Sequence, residues 1–155
     1  MSATPPQAAR GDPPTLHRIV IVGGGAGGLE LATRLGNKLG KRKRAEIVLI
    51  DRGRSHVWKP KLHEIAAGSM DTADHEVNYL AQAHWHHFGY RIGEMVGLDR
   101  ERREVLVDAY VDDEGKQVTA ARRIPYDTLV IAIGSLSNDF GTPGVSQYAL
   151  KLETL

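Results

Sequence analysis

Apolar residues cluster in short runs along this chain, and the spacing between runs alternates strand-like with helix-like stretches. Ile19 to Val22 is a continuous apolar run that stops at glycine, and Ile47 to Ile50 is a second that stops at Asp51. Thr128 to Ile133 is a third, β-branched run, read as a buried central strand by its length. Between the first two, residues 25–39 carry apolar positions at helical spacing, and Gly40 fits a helix stop. Strand one is placed at Arg18 to Val22, and strand two at Glu46 to Ile50. A second helix is expected from Asp74 to about Trp85, with Asp71 or Thr72 as its N-cap. Tyr90 to Leu98 and Arg103 to Val111 read as strands. The turn Asp112-Asp113-Glu114-Gly115 then reverses the chain into Lys116 to Ile124 as a hairpin.

The glycines after the first run make the pattern specific. Gly23-x-Gly25-x-x-Gly28 opens the helix, with Ala32 one turn on. Gly23 permits a tight strand-to-helix turn, Gly25 lets backbone approach a pyrophosphate, and Gly28 lets helix and strand pack closely. The helix that starts there points unpaired N–H groups and a positive dipole end toward the phosphates. Asp51 comes at about the twenty-residue offset of the carboxylate that accepts ribose hydroxyls. A glycine-rich loop that merely turns the chain does not account for Asp51. The expected architecture is α/β: a parallel Rossmann sheet with helices on both faces, strand one central, and a β-meander layered on it.

Composition narrows the chemistry. The chain has 155 residues, a formal net charge of +1 and no cysteine. There is room for one domain, with Met1 to about Leu16 as a disordered Pro- and Ala-rich lead-in and 17–155 as the folded unit. Without cysteine, disulfides, thiol redox pairs and cysteine metal sites are excluded, so redox chemistry falls to a bound cofactor. The overall charge calls for no nucleic acid. No run approaches the roughly 18 apolar residues of a membrane span, and no signal core is visible, which points to the cytoplasm. Lys41-Arg42-Lys43-Arg44 reads as a solvated turn at a helix's negative end, with anionic-surface contact as the alternative. His84-x-His86-His87 lacks the spacing that aims two imidazoles at one zinc, so these are read as surface histidines and no metal is assigned. Trp58 and Trp85 are read as packing residues. His63-Glu64 is a hydrogen-bonded loop pair or, alternatively, a proton relay.

Glycines, strand and acid do not separate FAD from NAD. Tyr126-Asp-Thr-Leu-Val-Ile-Ala-Ile-Gly-Ser135 resembles the second flavin signature of flavoproteins with two dinucleotide-binding domains. The glycine segment 23–32, His-x-Trp-Lys-Pro-x-Leu-His-Glu-Ile-Ala-Ala-Gly-Ser (56–69) and Ile-Gly-Ser-x-Ser-Asn-Asp-Phe-Gly-Thr-Pro-Gly-Val (133–145) together resemble bacterial type II NADH dehydrogenase. That family consists of single-subunit, non-proton-pumping, FAD-dependent NADH:quinone oxidoreductases of the respiratory chain, peripheral to the cytoplasmic face of the inner membrane. The resemblance runs from about residue 17 to the end. It implies that Gly23, Gly25, Ala26 and Gly27 hold the pyrophosphate, with Gly28 completing the turn, and that Asp51 holds the adenosine ribose. Val96, placed at the end of the third Rossmann strand, would meet the adenine through its backbone. Ala132 and Gly134 would lie against the flavin end, and Lys59 with Leu62-His63-Glu64 would approach the isoalloxazine. No catalytic residue is assigned.

The same resemblance implies NADH and quinone as substrates, and leaves a homodimer open. Its members are more than twice as long, with an NADH-binding Rossmann unit and amphipathic C-terminal helices, and only one glycine fingerprint occurs here. The chain is therefore expected to be an N-terminal fragment, incomplete relative to the family, with little turnover alone. A sulfide:quinone oxidoreductase is disfavoured because it needs redox cysteines. The other class kept open is a stand-alone nucleotide-binding or interaction module without turnover.

Overall fold

The computed structural model describes residues 15–57, 63–64, 67–69, 76–135 and 138–149. Its centre is a four-stranded sheet built from β1 (His17–Val22), β2 (Ala45–Asp51), β5 (Gly89–Ile92) and β11 (Thr128–Ile131), in the order β11-β1-β2-β5 and parallel throughout. Residue alternation sorts the side chains onto two faces. Ile21, Ile47 and Leu49 point to one face and pack with Ala32, Tyr79, Ala83 and Phe88. Val20, Val22, Val48 and Ile50 point to the other and pack with Val105, Val107 and Ile124. Burying each of these aliphatic side chains contributes about 1.5–3 kcal/mol, which makes the strand pair β1–β2 the stable heart of the fold.

The first face is covered by α1 (Ala26–Leu35) and α2 (Tyr79–His86). The second is covered by a three-stranded antiparallel sheet of β6 (Met95–Asp99), β7 (Glu104–Val107) and β10 (Arg122–Pro125). Two further antiparallel pairs lie among the described residues: β3 (Ser55–Val57) with β4 (Glu76–Asn78), and β8 (Tyr110–Val111) with β9 (Gln117–Thr119). A short helix, α3, spans Val145–Tyr148. The expected central position of strand one is found. Among the described residues, helices cover only one face: the meander takes the second, where its own apolar stripe buries Val20 and Ile50.

Several boundaries differ from the sequence reading, each for a tertiary reason. The first helix leaves α geometry at Leu35 and continues as a π turn over Gly36–Gly40, so the stop at Gly40 holds. There Gly36 and Gly40 rest against the carbonyl oxygens of His86 and His87, an approach that a Cβ would block. The second helix begins at Tyr79 rather than Asp74, because 76–78 pair with β3 instead. Its cap is Asn78, whose Oδ1 accepts from Leu80 N at 2.9 Å and Ala81 N at 3.1 Å; Asp71, Thr72 and Asp74 lie outside the described residues. The single strand expected over 90–98 breaks at Gly93, where φ is +143° and the chain passes from the parallel sheet to the meander. The one expected over 103–111 breaks at Asp108-Ala109 between β7 and β8. The run at 128–133 forms β11, but as an edge strand among the described residues, with Ile131 49% exposed. Trp85 is 72% exposed, edge-on to the His84 ring, so it is not a packing residue; Trp58 lies outside the described residues.

Candidate functional site

The carboxyl ends of β1, β2 and β11 converge, as the ligand end of a parallel sheet does. Gly23 leaves β1 with φ +103°, a backbone that side chains rarely adopt. A Cβ on Gly23 would lie 2.5 Å from the Ala132 carbonyl oxygen, and one on Gly28 would run into the carbonyl of Gly23. The first turn of α1 is thereby pressed against the ends of β1 and β11. Ala132 N–H donates to the Val22 carbonyl at 2.7 Å, which carries the pairing one residue past β11. Gly134 lies exposed beyond the strand end.

Gly25 and Gly27 differ in kind from Gly23 and Gly28. A Cβ on either would meet nothing within 4 Å. Gly25 is the N-cap of α1, and the helix has no side-chain cap and no acidic residue in its first turn. No side chain caps the first-turn N–H groups, and the dipole's positive end lies behind them. Ala26 borders a groove of about 320 Å³ that runs beside α1 toward Glu30, Thr33, His56 and Gln82.

Asp51 closes the other side. Its Oδ2 accepts Gly24 N–H at 2.6 Å and its Oδ1 accepts Gly53 N–H at 2.8 Å, tying the turn after β1 to the turn after β2. Each oxygen keeps a further lone pair for a hydroxyl donor. Two tyrosines that the sequence reading missed stand behind these turns. Tyr79 O–H donates to the Gly24 carbonyl at 2.7 Å, and Tyr90 O–H donates to the Gly53 carbonyl. Their ring centroids are 5.2 Å apart. Burial, with the Asp51 charge adding to it, pushes both phenols well above their ordinary value, so both remain protonated donors. Burial also lowers the pKa of His56, against an opposing pull from Asp51. A buried tyrosine needs a partner for its hydroxyl, but nothing in sequence spacing names that partner.

The structure therefore brings Gly23, Gly25, Ala26, Gly27, Gly28, Asp51 and Ala132 to one end of the sheet. Val96 is placed differently from expectation. The third parallel strand ends at Ile92, and Val96 sits in β6, in an irregular step of the pairing between Met95 and Gly97, its side chain 61% exposed. Lys59 and Leu62 lie outside the described residues. His63 Nε2 and Glu64 Oε1 are 3.9 Å apart, with the imidazole largely exposed.

Comparison with known proteins gives the family and agrees with the fold. The family model described as pyridine nucleotide-disulphide oxidoreductase matches residues 17–155. The chain is 49% identical over 139 residues to "Type II NADH:quinone oxidoreductase" of Haemophilus influenzae, covering 90% of this chain and 31% of that protein. It is 33% identical over 142 residues to "Demethylphylloquinone reductase NdbB" of Synechocystis, covering 89% and 33%. It thus spans about a third of the length of these curated relatives. In fold it resembles NDH2 from Plasmodium falciparum, with a TM-score of 0.68 at 23% identity, over 86% of this chain and 25% of that one. The chain belongs to the pyridine nucleotide-disulphide oxidoreductase family.

Proposed function

We propose that residues 17–155 form an FAD-binding domain of a type II NADH:quinone oxidoreductase. The observation that carries this reading is the contrast among the glycines. Gly23 and Gly28 have no room for a side chain because protein fills it, whereas the space before Gly25 and Gly27 is open at an uncapped helix N-terminus. That is the shape a pyrophosphate fits, and Asp51 stands one strand away for a ribose. The 49% identity to a protein of that name favours FAD and NADH over other nucleotide chemistry.

In this reading the N–H groups of Gly25, Ala26 and Gly27 hold the pyrophosphate, and Asp51 accepts from the adenosine ribose. The irregular step at Val96 leaves backbone on the outer edge of β6 for the adenine. Ala132 and Gly134 border the flavin end, and Lys59 with the 62–64 segment lies on the isoalloxazine side. FAD, when bound, supplies the two-electron relay between NADH and quinone. The chain's own part is to bind and orient it. The reading places the protein at the cytoplasmic face of the inner membrane, as a monomer or homodimer. Among the described residues no helix is long and apolar enough to cross a membrane.

Flavin titration tests the reading. The purified chain is expected to bind FAD with quenched flavin fluorescence and to lose it to excess ADP. Absence of any FAD or ADP binding would leave a nucleotide-independent interaction module as the better account.

A further inference from the structure

We propose that Tyr79 is a positioning residue that aims the Gly25 N–H at the phosphate. The inference rests on the FAD-site reading above and deepens it. Gly23, Gly24 and Gly25 are successive glycines, so the peptides between them have little intrinsic preference for one orientation. A flipped Gly24–Gly25 peptide would present a carbonyl oxygen to an anion and repel it.

The structure fixes both peptides that flank the Gly24 Cα, the one before it through its N–H and the Gly24–Gly25 peptide through its C=O. Gly24 N–H is taken by Asp51 Oδ2 at 2.6 Å, and Gly24 C=O is taken by the Tyr79 hydroxyl at 2.7 Å. No peptide bond in the described chain is cis. In a planar trans peptide the C=O and the next residue's N–H point in opposite directions. Pinning the Gly24 oxygen toward Tyr79 therefore turns the Gly25 N–H away from it, on the residue whose Cβ direction is open. Tyr79 is itself immobilised: it is 2% exposed, lies in the first turn of α2, and packs on the Tyr90 ring at 5.2 Å. Tyr90 in turn donates to the Gly53 carbonyl, and Gly53 N–H donates to Asp51 Oδ1 at 2.8 Å. The chain of contacts closes on itself: Gly24, Asp51, Gly53, Tyr90, Tyr79, Gly24. This circuit of four hydrogen bonds and one ring contact ties the phosphate turn and the ribose carboxylate into one unit.

ADP, the phosphate-bearing half of FAD, and adenosine, which lacks phosphate, separate this from a merely structural role. Tyr79→Phe removes only the hydroxyl. It is expected to weaken ADP about tenfold, the loss of one hydrogen-bonded alignment, while adenosine, titrated by NMR at millimolar concentration, changes by less than about twofold. Equal weakening of both ligands, or of neither, overturns the proposal. A measurement on the wild-type chain keeps the test open if the variant does not fold. Its Gly25 amide is expected as one sharp resonance in the free protein, moving with ADP and hardly with adenosine. A doubled or broadened Gly25 resonance overturns the proposal. Failure of the wild-type chain to bind ADP or FAD at all brings down the FAD reading and this inference together. Wild-type binding with an unaffected Tyr79→Phe brings down the inference alone.

Discussion

Asp51 Oδ2 accepts the backbone N–H of Gly24 at 2.6 Å, across 27 positions of sequence. The bond joins the ends of two adjacent parallel strands, and it places a carboxylate beside the turn that opens α1. Removing it affects the site twice. Asp51→Ala is expected to weaken FAD by about 1.5–3 kcal/mol through loss of the ribose acceptor. The same change strands the N–H groups of Gly24 and Gly53, so the nucleotide-free chain loses stability as well. Flavin titration and urea unfolding of the same variant measure the two losses separately; unchanged FAD affinity would place the ribose elsewhere.

The glycines divide by what a Cβ would meet. Gly25→Val faces open space in the protein, so the free chain is expected to unfold within about 1 kcal/mol of wild type. FAD binding is expected to fall by about a hundredfold or more, about 2.7 kcal/mol, because the branched side chain occupies the phosphate's approach. Gly28→Ala behaves in the opposite way. Its methyl runs into the Gly23 carbonyl, and overpacking of this kind costs about 1–3 kcal/mol of stability. Paired denaturation and FAD titrations check both; equal effects of the two variants on stability would contradict the division.

Stability is expected to depend on pH through His56. Burial lowers its pKa below the ordinary 6.5, so the unfolded chain binds this proton more readily than the folded one. By linkage, the His56 contribution to folding stability is fully present above 6.5 and is lost as pH falls from 6.5 to the folded value, below which both states carry the proton and this group adds no further slope. Thermal melts from pH 5 to 8 with wild type and His56→Gln measure this. The variant is expected to show the shallower acid slope, and an unchanged slope would assign the loss to other groups.

Turnover by the 155-residue chain is expected to be low. The described residues build one glycine-rich phosphate turn, and holding a nicotinamide against a flavin calls for a second nucleotide site. Such positioning is worth roughly 7–11 kcal/mol of a barrier. NADH-dependent reduction of a soluble quinone by the FAD-loaded chain measures it. Rates of the ordinary enzymatic order, about 1–10³ s⁻¹, would show that these residues suffice.

The sequence by itself determined the Rossmann core. An apolar run ending in Gly23-x-Gly25-x-x-Gly28, a helix, and a second run ending in Asp51 form a local βαβ record, because every contact it requires lies within or between adjacent elements. The meander was legible as short strands, and the stop at Gly40 as a glycine after a helical run. Tertiary structure decided the rest. Residues 90–98 read as one strand because alternation is a local property, whereas the turn at Gly93 is imposed by the change of sheet. Residues 128–131 announce a strand but not its number of neighbours, and only pairing put β11 at an edge among the described residues. Tyr79 and Tyr90 carry no periodic signal. They meet Gly24 and Gly53 through long-range packing, and the hydrogen bonds that hold the site exist only once the sheet has assembled.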